Sequence, residues 1–158
     1  MIELRLVGVR VELESSQPIV LLKERDGERY LPILIGSYEA MAIAFAMQGV
    51  VTPRPLTHDL IKLLLDEMGY QLDYVYINEF SDSTYFSMIH LSGGGSSYDV
   101  SSRPSDAIAI AARTGSPIYA AEEVLDELSV SIRDDEEENE VEKFREFLEQ
   151  VTPEDFRA

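Results

Sequence analysis

Cysteine is absent from this chain, which excludes disulfides, thiolate nucleophiles and Cys-based zinc or iron–sulfur centres and fits a reducing compartment. Histidine is scarce, and His58 and His90 are too few for a His-rich metal site. No stretch is long and apolar enough to span a bilayer, and Met1-Ile2-Glu3-Leu4-Arg5 alternates charge with apolar residues in place of a secretory run. A cytoplasmic protein with no membrane association is therefore expected. There is also no Ser–His–Asp order, Walker lysine or HExxH helix. With 158 residues the chain has room for one cored domain and an appendage.

A basic stripe is missing too. The net charge is −17, and residues 1–115 carry 9 basic and 15 acidic side chains (−6) against 4 and 15 (−11) in residues 116–158. The acidity is thus mostly a tail. Phosphate backbones are normally met by Lys and Arg that displace counterions, so a polyanion would here be met by a few local arginines or a bridging metal ion. From Asp134 to Glu142 seven of nine residues are acidic, a stretch expected to be solvated. Val141, Phe144, Phe147 and Leu148 then fall at helical spacing. Residues 1–131 are read as one domain and 132–158 as an acidic linker with a short amphipathic helix that docks on the body or on a neighbouring subunit.

What is present is organised. Ile2, Leu4 and Leu6 alternate in one phase and Val9, Val11 and Leu13 in the other, which predicts a long strand bulged near Gly8. Strands over 19–23 and 28–35 flank the hairpin signal Asp26-Gly27, and Pro32 argues for an edge strand. Ser37 is expected to cap a helix over 38–48 ended by Gly49. Thr57 is expected to open a second helix to Met68 with Leu60, Ile61, Leu64, Leu65 and Met68 buried. Strands follow near 71–78, 84–91 and 97–101, the last two joined by Gly93-Gly94-Gly95. Pro104 suits the first turn of a helix to Arg113. A short strand at 117–120 and a helix at 121–128 follow.

Glu39-Ala40-Met41-Ala42-Ile43-Ala44 is almost repeated 67 positions later as Asp106-Ala107-Ile108-Ala109-Ile110-Ala111. The reading is an α+β fold of internally duplicated ββα units, with a mainly antiparallel sheet and packed helices. Both copies put one carboxylate in a first helical turn, where free N–H groups and the dipole favour negative charge.

Two constellations carry candidate chemistry. In Pro53-Arg54-Pro55-Leu56-Thr57-His58-Asp59, Arg54, the Thr57 hydroxyl and the free amides of the helix start can converge on a phosphate oxygen. His58 can serve as general acid or base, with an unperturbed pKa of about 6.5. The structural reading of these residues is a cap, a first-turn acid and a turn, which leaves His58 unexplained. In Ser102-Arg103-Pro104-Ser105-Asp106, Asp106 is the counterpart of Glu39. Two acids brought together, with Asp59, could hold Mg²⁺ or Mn²⁺ for phosphodiester hydrolysis, or Arg103 could satisfy both without metal. Asp82 reads as a turn residue and His90 as a surface or satisfied histidine.

Leu31-Pro32-Ile33 with Ile35-Gly36 and Glu39-Ala40, then residues 53–60, then Arg103-Pro104-Ser105-Asp106-Ala107-Ile108-Ala109, together resemble the bifunctional nuclease (BFN domain) family over residues 1–128. The resemblance implies a nuclease acting on DNA and RNA as a homo-oligomer. The family's recognisable polar positions fall on Glu39, Arg54, Thr57, His58, Asp59, Arg103 and Asp106. The expectation is a divalent-metal-assisted nuclease in which Glu39, Asp106 and Asp59 hold the ion, Arg54, Thr57 and Arg103 bind the phosphate, and His58 protonates the leaving group. The alternative is a non-catalytic homo-oligomeric binding or regulatory module whose polar residues are ion pairs and caps.

Overall fold

The structure, a computed structural model, describes residues 1–11 and 16–132. A meander of β1 (Ile2–Val11), β2 (Pro18–Glu24) and β3 (Tyr30–Leu34) leads into helices α1 (Ser37–Gln48) and α2 (Thr57–Met68). A second meander, β4 (Gln71–Ser81), β5 (Thr84–Gly93) and β6 (Ser96–Ser102), leads into α3 (Pro104–Thr114), β7 (Ile118–Ala120) and α4 (Glu122–Leu128). All seven strands form one sheet in the order β3-β2-β1-β7-β4-β5-β6. β7 joins the two meanders, antiparallel to β1 and parallel to β4, and every other pairing is antiparallel. The α+β class and mainly antiparallel sheet are as expected.

Local chemistry explains most of these boundaries. The register of β1 on β2 shifts between Leu6 and Gly8, the bulge that the change of alternation predicts. Pro32 sits in the edge strand β3, where its missing N–H costs no central ladder bond. Gly49, at φ 67°, ends α1 in the left-handed conformation that a side chain resists. The N-terminal caps differ from expectation: Gly36 and Leu56 occupy the cap positions, and Ser37 and Thr57 are the first helical residues. At α2 the capping acceptor is instead the Asp59 carboxylate, whose Oδ2 accepts the Leu56 N–H at 3.0 Å.

The sheet curls. Tyr85 on β5 donates its hydroxyl to the Pro32 carbonyl on β3, 3.3 Å away, although four strands separate them in the sheet order. Its inner face holds the core with α1, α3 and α4, including Val20, Leu22, Leu31, Val75, Ile77, Ile118 and Leu125. α1 and α3 pack on each other, and both are rich in small buried side chains, Ala40, Ala42 and Ala44 in one and Ala107, Ala109 and Ala111 in the other, which lets backbones approach closely.

α2 departs from its expected packing. It lies against α3 and meets the sheet mainly at β4. Leu65 is buried and Ile61 packs on the core, but Leu60, Leu64 and Met68 are 47%, 50% and 61% exposed. One flanking helix covers one row of an apolar stripe two rows wide. Among the described residues no helix is long and apolar enough to cross a membrane. The acidic linker and amphipathic helix expected beyond residue 132 lie outside the described residues.

Candidate active site

Three helix starts meet at one point. Glu39 stands in the first turn of α1, His58 in that of α2 and Asp106 in that of α3, whose cap residue is Arg103. Arg103 lies between the acids: its Nε and Nη2 donate to Asp106 Oδ2 and Oδ1 at 2.8 and 3.1 Å, and its Nη1 lies 3.0 Å from Glu39 Oε1. From the other side His58 Nε2 is 2.9 Å from Asp106 Oδ1. The Glu39 carboxylate folds back over Gly36, where a Cβ would collide with Oε2. The glycine before α1 thereby leaves room for the acid to reach Arg103.

Exposure is graded across the cluster. The His58 side chain is 10% exposed, Glu39 18%, Asp106 31% and Arg103 64%. Burial pushes the Asp106 carboxyl up, but hydrogen bonds from Arg103 and His58 outweigh it and hold the group below its ordinary range. The same hydrogen bond and charge of Asp106, with Glu39, raise the Arg103 guanidinium. Asp106 is therefore an anion that accepts the Nε2–H of His58, an assignment of the tautomer that follows from the hydrogen bond. His58 Nδ1 makes no hydrogen bond to a described residue.

Other candidates lie apart. Asp59 turns away from His58 and pairs with Arg113 Nε, whose side chain is 7% exposed and also donates to the Ala109 carbonyl at 2.8 Å. Asp59 thus ties the start of α2 to the end of α3. Arg54 is exposed on the loop before α2 and Thr57 is exposed at its first residue, and the Arg54 side chain pairs with no described residue. Sequence reasoning missed Arg113, whose one signal was a basic residue in the last turn of a helix. His90 is a satisfied histidine: Nδ1 is 2.6 Å from Asp99 Oδ1 and the ring stacks on Tyr74.

As arranged, the acids do not fit a divalent ion. The oxygens of Glu39 and Asp106 that face each other are bridged by a guanidinium, Asp59 belongs to another pair, and among the described residues no three His, Asp or Glu side chains form a ligand set. A depression of about 470 Å³ lies at the other end of α3 beside Arg5, Arg25, Gly115 and Pro117, and includes none of the cluster. Hydrogen bonding between groups of opposed charge positions reacting atoms and an open hollow does not, which makes the cluster the candidate site.

A profile of the bifunctional nuclease domain matches residues 20–133. The chain belongs to the bifunctional nuclease domain family. An uncharacterised protein of Mycobacterium tuberculosis is 48% identical over 99% of this chain and 98% of its own length. Bifunctional nuclease 2 of Oryza sativa subsp. japonica is 32% identical, and bifunctional nuclease 1 of Arabidopsis thaliana 34% identical, over 70% and 66% of this chain. Only 35% and 33% of those plant proteins are covered. The bifunctional nuclease domain match takes in the whole His58–Asp106–Arg103–Glu39 cluster.

Proposed function

We propose that the protein hydrolyses phosphodiester bonds of DNA and RNA at the cluster where α1, α2 and α3 begin. The observation that carries the reading is the Arg103–Asp106–His58 chain of hydrogen bonds, buried at its histidine end and exposed at its arginine end. Arg103 binds the scissile phosphate with its exposed edge, and Arg54 and the free amides of α2 offer a second anion contact. Water forms the new P–O bond as the ester bond breaks. His58 Nδ1 gives its proton to the leaving oxygen and is reprotonated by the proton lost from water, while Asp106, accepting from Nε2, fixes the ring. The plant relatives' printed names support the substrate class.

A cytoplasmic setting and homo-oligomerisation belong to the same proposal, whereas Mg²⁺ or Mn²⁺ assistance requires Glu39 and Asp106 first to leave Arg103. The exposed apolar row of α2, with Leu60, Leu63, Leu64 and Met68, favours self-association. Purified protein is expected to nick both DNA and RNA, with loss of about 100-fold or more in His58→Ala. Repeating the assay with EDTA reads out metal dependence. A non-catalytic module is favoured by one observation, that Arg103 already satisfies both acids. That reading predicts no cleavage with or without divalent ions.

A further inference from the structure

The first turn of α2 grips α3 at two places. His58 reaches Asp106 in the first turn of α3, and the next residue, Asp59, reaches Arg113 in its last turn. Asp106 and Arg113 lie on one stripe of α3, two helical turns or about 10 Å apart. His58 and Asp59 leave α2 about 100° apart around its axis, so the two contacts together fix the rotation of α2 as well as its place along α3. Packing alone holds α2 loosely. Leu65 is buried and Ile61 packs on the core, whereas Leu60, Leu63, Leu64 and Met68 are exposed, and the approach over Pro53-Arg54-Pro55 is exposed too.

Arg113 is itself anchored. Its side chain is 7% exposed against 36% for Asp59. Nη1 donates to the Ala109 carbonyl one turn back at 2.8 Å, which aims Nε at Asp59 Oδ1. The other oxygen of Asp59 accepts the Leu56 N–H at 3.0 Å. One carboxylate therefore ties the backbone at the entry of α2 to a guanidinium fixed on α3, a task for the rigid fork of arginine. The pull of a helix C-terminus on a cation accounts for the Ala109 contact but not for the bond to Asp59. We propose that Arg113, acting through Asp59, is a positioning residue that holds the His58 ring on Asp106. Asp59 then serves the site without touching the reacting atoms. The catalytic consequence rests on the hydrolytic reading of the cluster; the placement of the ring does not.

The test compares Arg113→Met and Asp59→Asn in the full chain, each with and without His58→Ala and each confirmed folded by circular dichroism. In the parent background both should lower kcat for phosphodiester cleavage about tenfold or more, since an offset of about 1 Å at a reacting group costs up to about 100-fold. KM should stay within about twofold, because Arg103 and Arg54 still meet the phosphate. In the His58→Ala background neither should slow the residual reaction further. An equal loss in both backgrounds would overturn the proposal, because a merely structural pair acts whether or not His58 is present. A second readout needs no cleavage. The chain has two histidines, so the ring N–H of His58 is followed by NMR beside that of His90, whose partner is Asp99. Both substitutions should speed solvent exchange of the His58 proton several-fold and leave His90 as it was; unaltered exchange at His58 would equally sink the claim. Should the parent cleave nothing, the hydrolytic reading falls, and this exchange rate alone decides whether Arg113 places the ring.

Discussion

Single side chains here do two kinds of work, and charge state separates them. Asp106 is held below the ordinary carboxylate range by Arg103 and His58 against the opposing push of burial, and Glu24 is lowered first by its hydrogen bond from Arg29. Both have folded values below their unfolded ones, so their contribution is present above the unfolded carboxylate range and lost as pH falls through the folded values. Acid titration followed by circular dichroism is expected to show stability falling below about pH 4, with the fall shallower in Asp106→Asn. Arg113 binds Asp59 and is itself buried. Arg113→Met should cost about 2 kcal/mol in urea unfolding, less than a fully buried pair because Asp59 is partly solvated. Much of this scale was legible: first-turn acids and an arginine before Pro104 point to Glu39, Arg103 and Asp106. The partner of Asp59 was not, because Arg113 stands 54 residues away and nothing local joins the two.

At the scale of elements, hairpins and helix ends followed from local rules, since Asp26-Gly27, Pro32 and Gly49 act through their own backbone. β7 as the joint between two meanders was out of reach, because three residues carry too little pattern to declare a parallel partner. The exposed row of α2 was equally hidden: helical periodicity identifies an apolar face but not how much of it a neighbour covers. This makes a sharp contrast measurable. Leu65→Ala, at a buried position, should destabilise by about 3 kcal/mol, while Leu64→Glu, half exposed on the same helix, should change stability by no more than about 0.5 kcal/mol in the monomer. Near-equal effects in denaturant unfolding would show that α2 is packed differently.

For the molecule as a whole, curling of the sheet brings its distant parts together. Tyr85 holds that curl by its bond to Pro32, and burial, assisted by the charge of Glu127, pushes its phenol up to about 12. Its folded value exceeds the unfolded one near 10, so its contribution is intact below about pH 10 and is lost as pH rises toward the folded value. Alkaline unfolding of Tyr85→Phe should lack the part of the decline that lies between those limits. The repeated Glu/Asp-Ala helices come to lie side by side, and that contact brings Glu39 to Arg103 and Asp106. The central claim is that the three helix starts form one hydrolytic site. Its most direct test is phosphodiester cleavage of DNA and RNA by the full chain beside His58→Ala and Asp106→Asn, each first shown to be folded. The account predicts cleavage by the parent and a loss of about 100-fold or more in each variant; cleavage unchanged in both folded variants would contradict it.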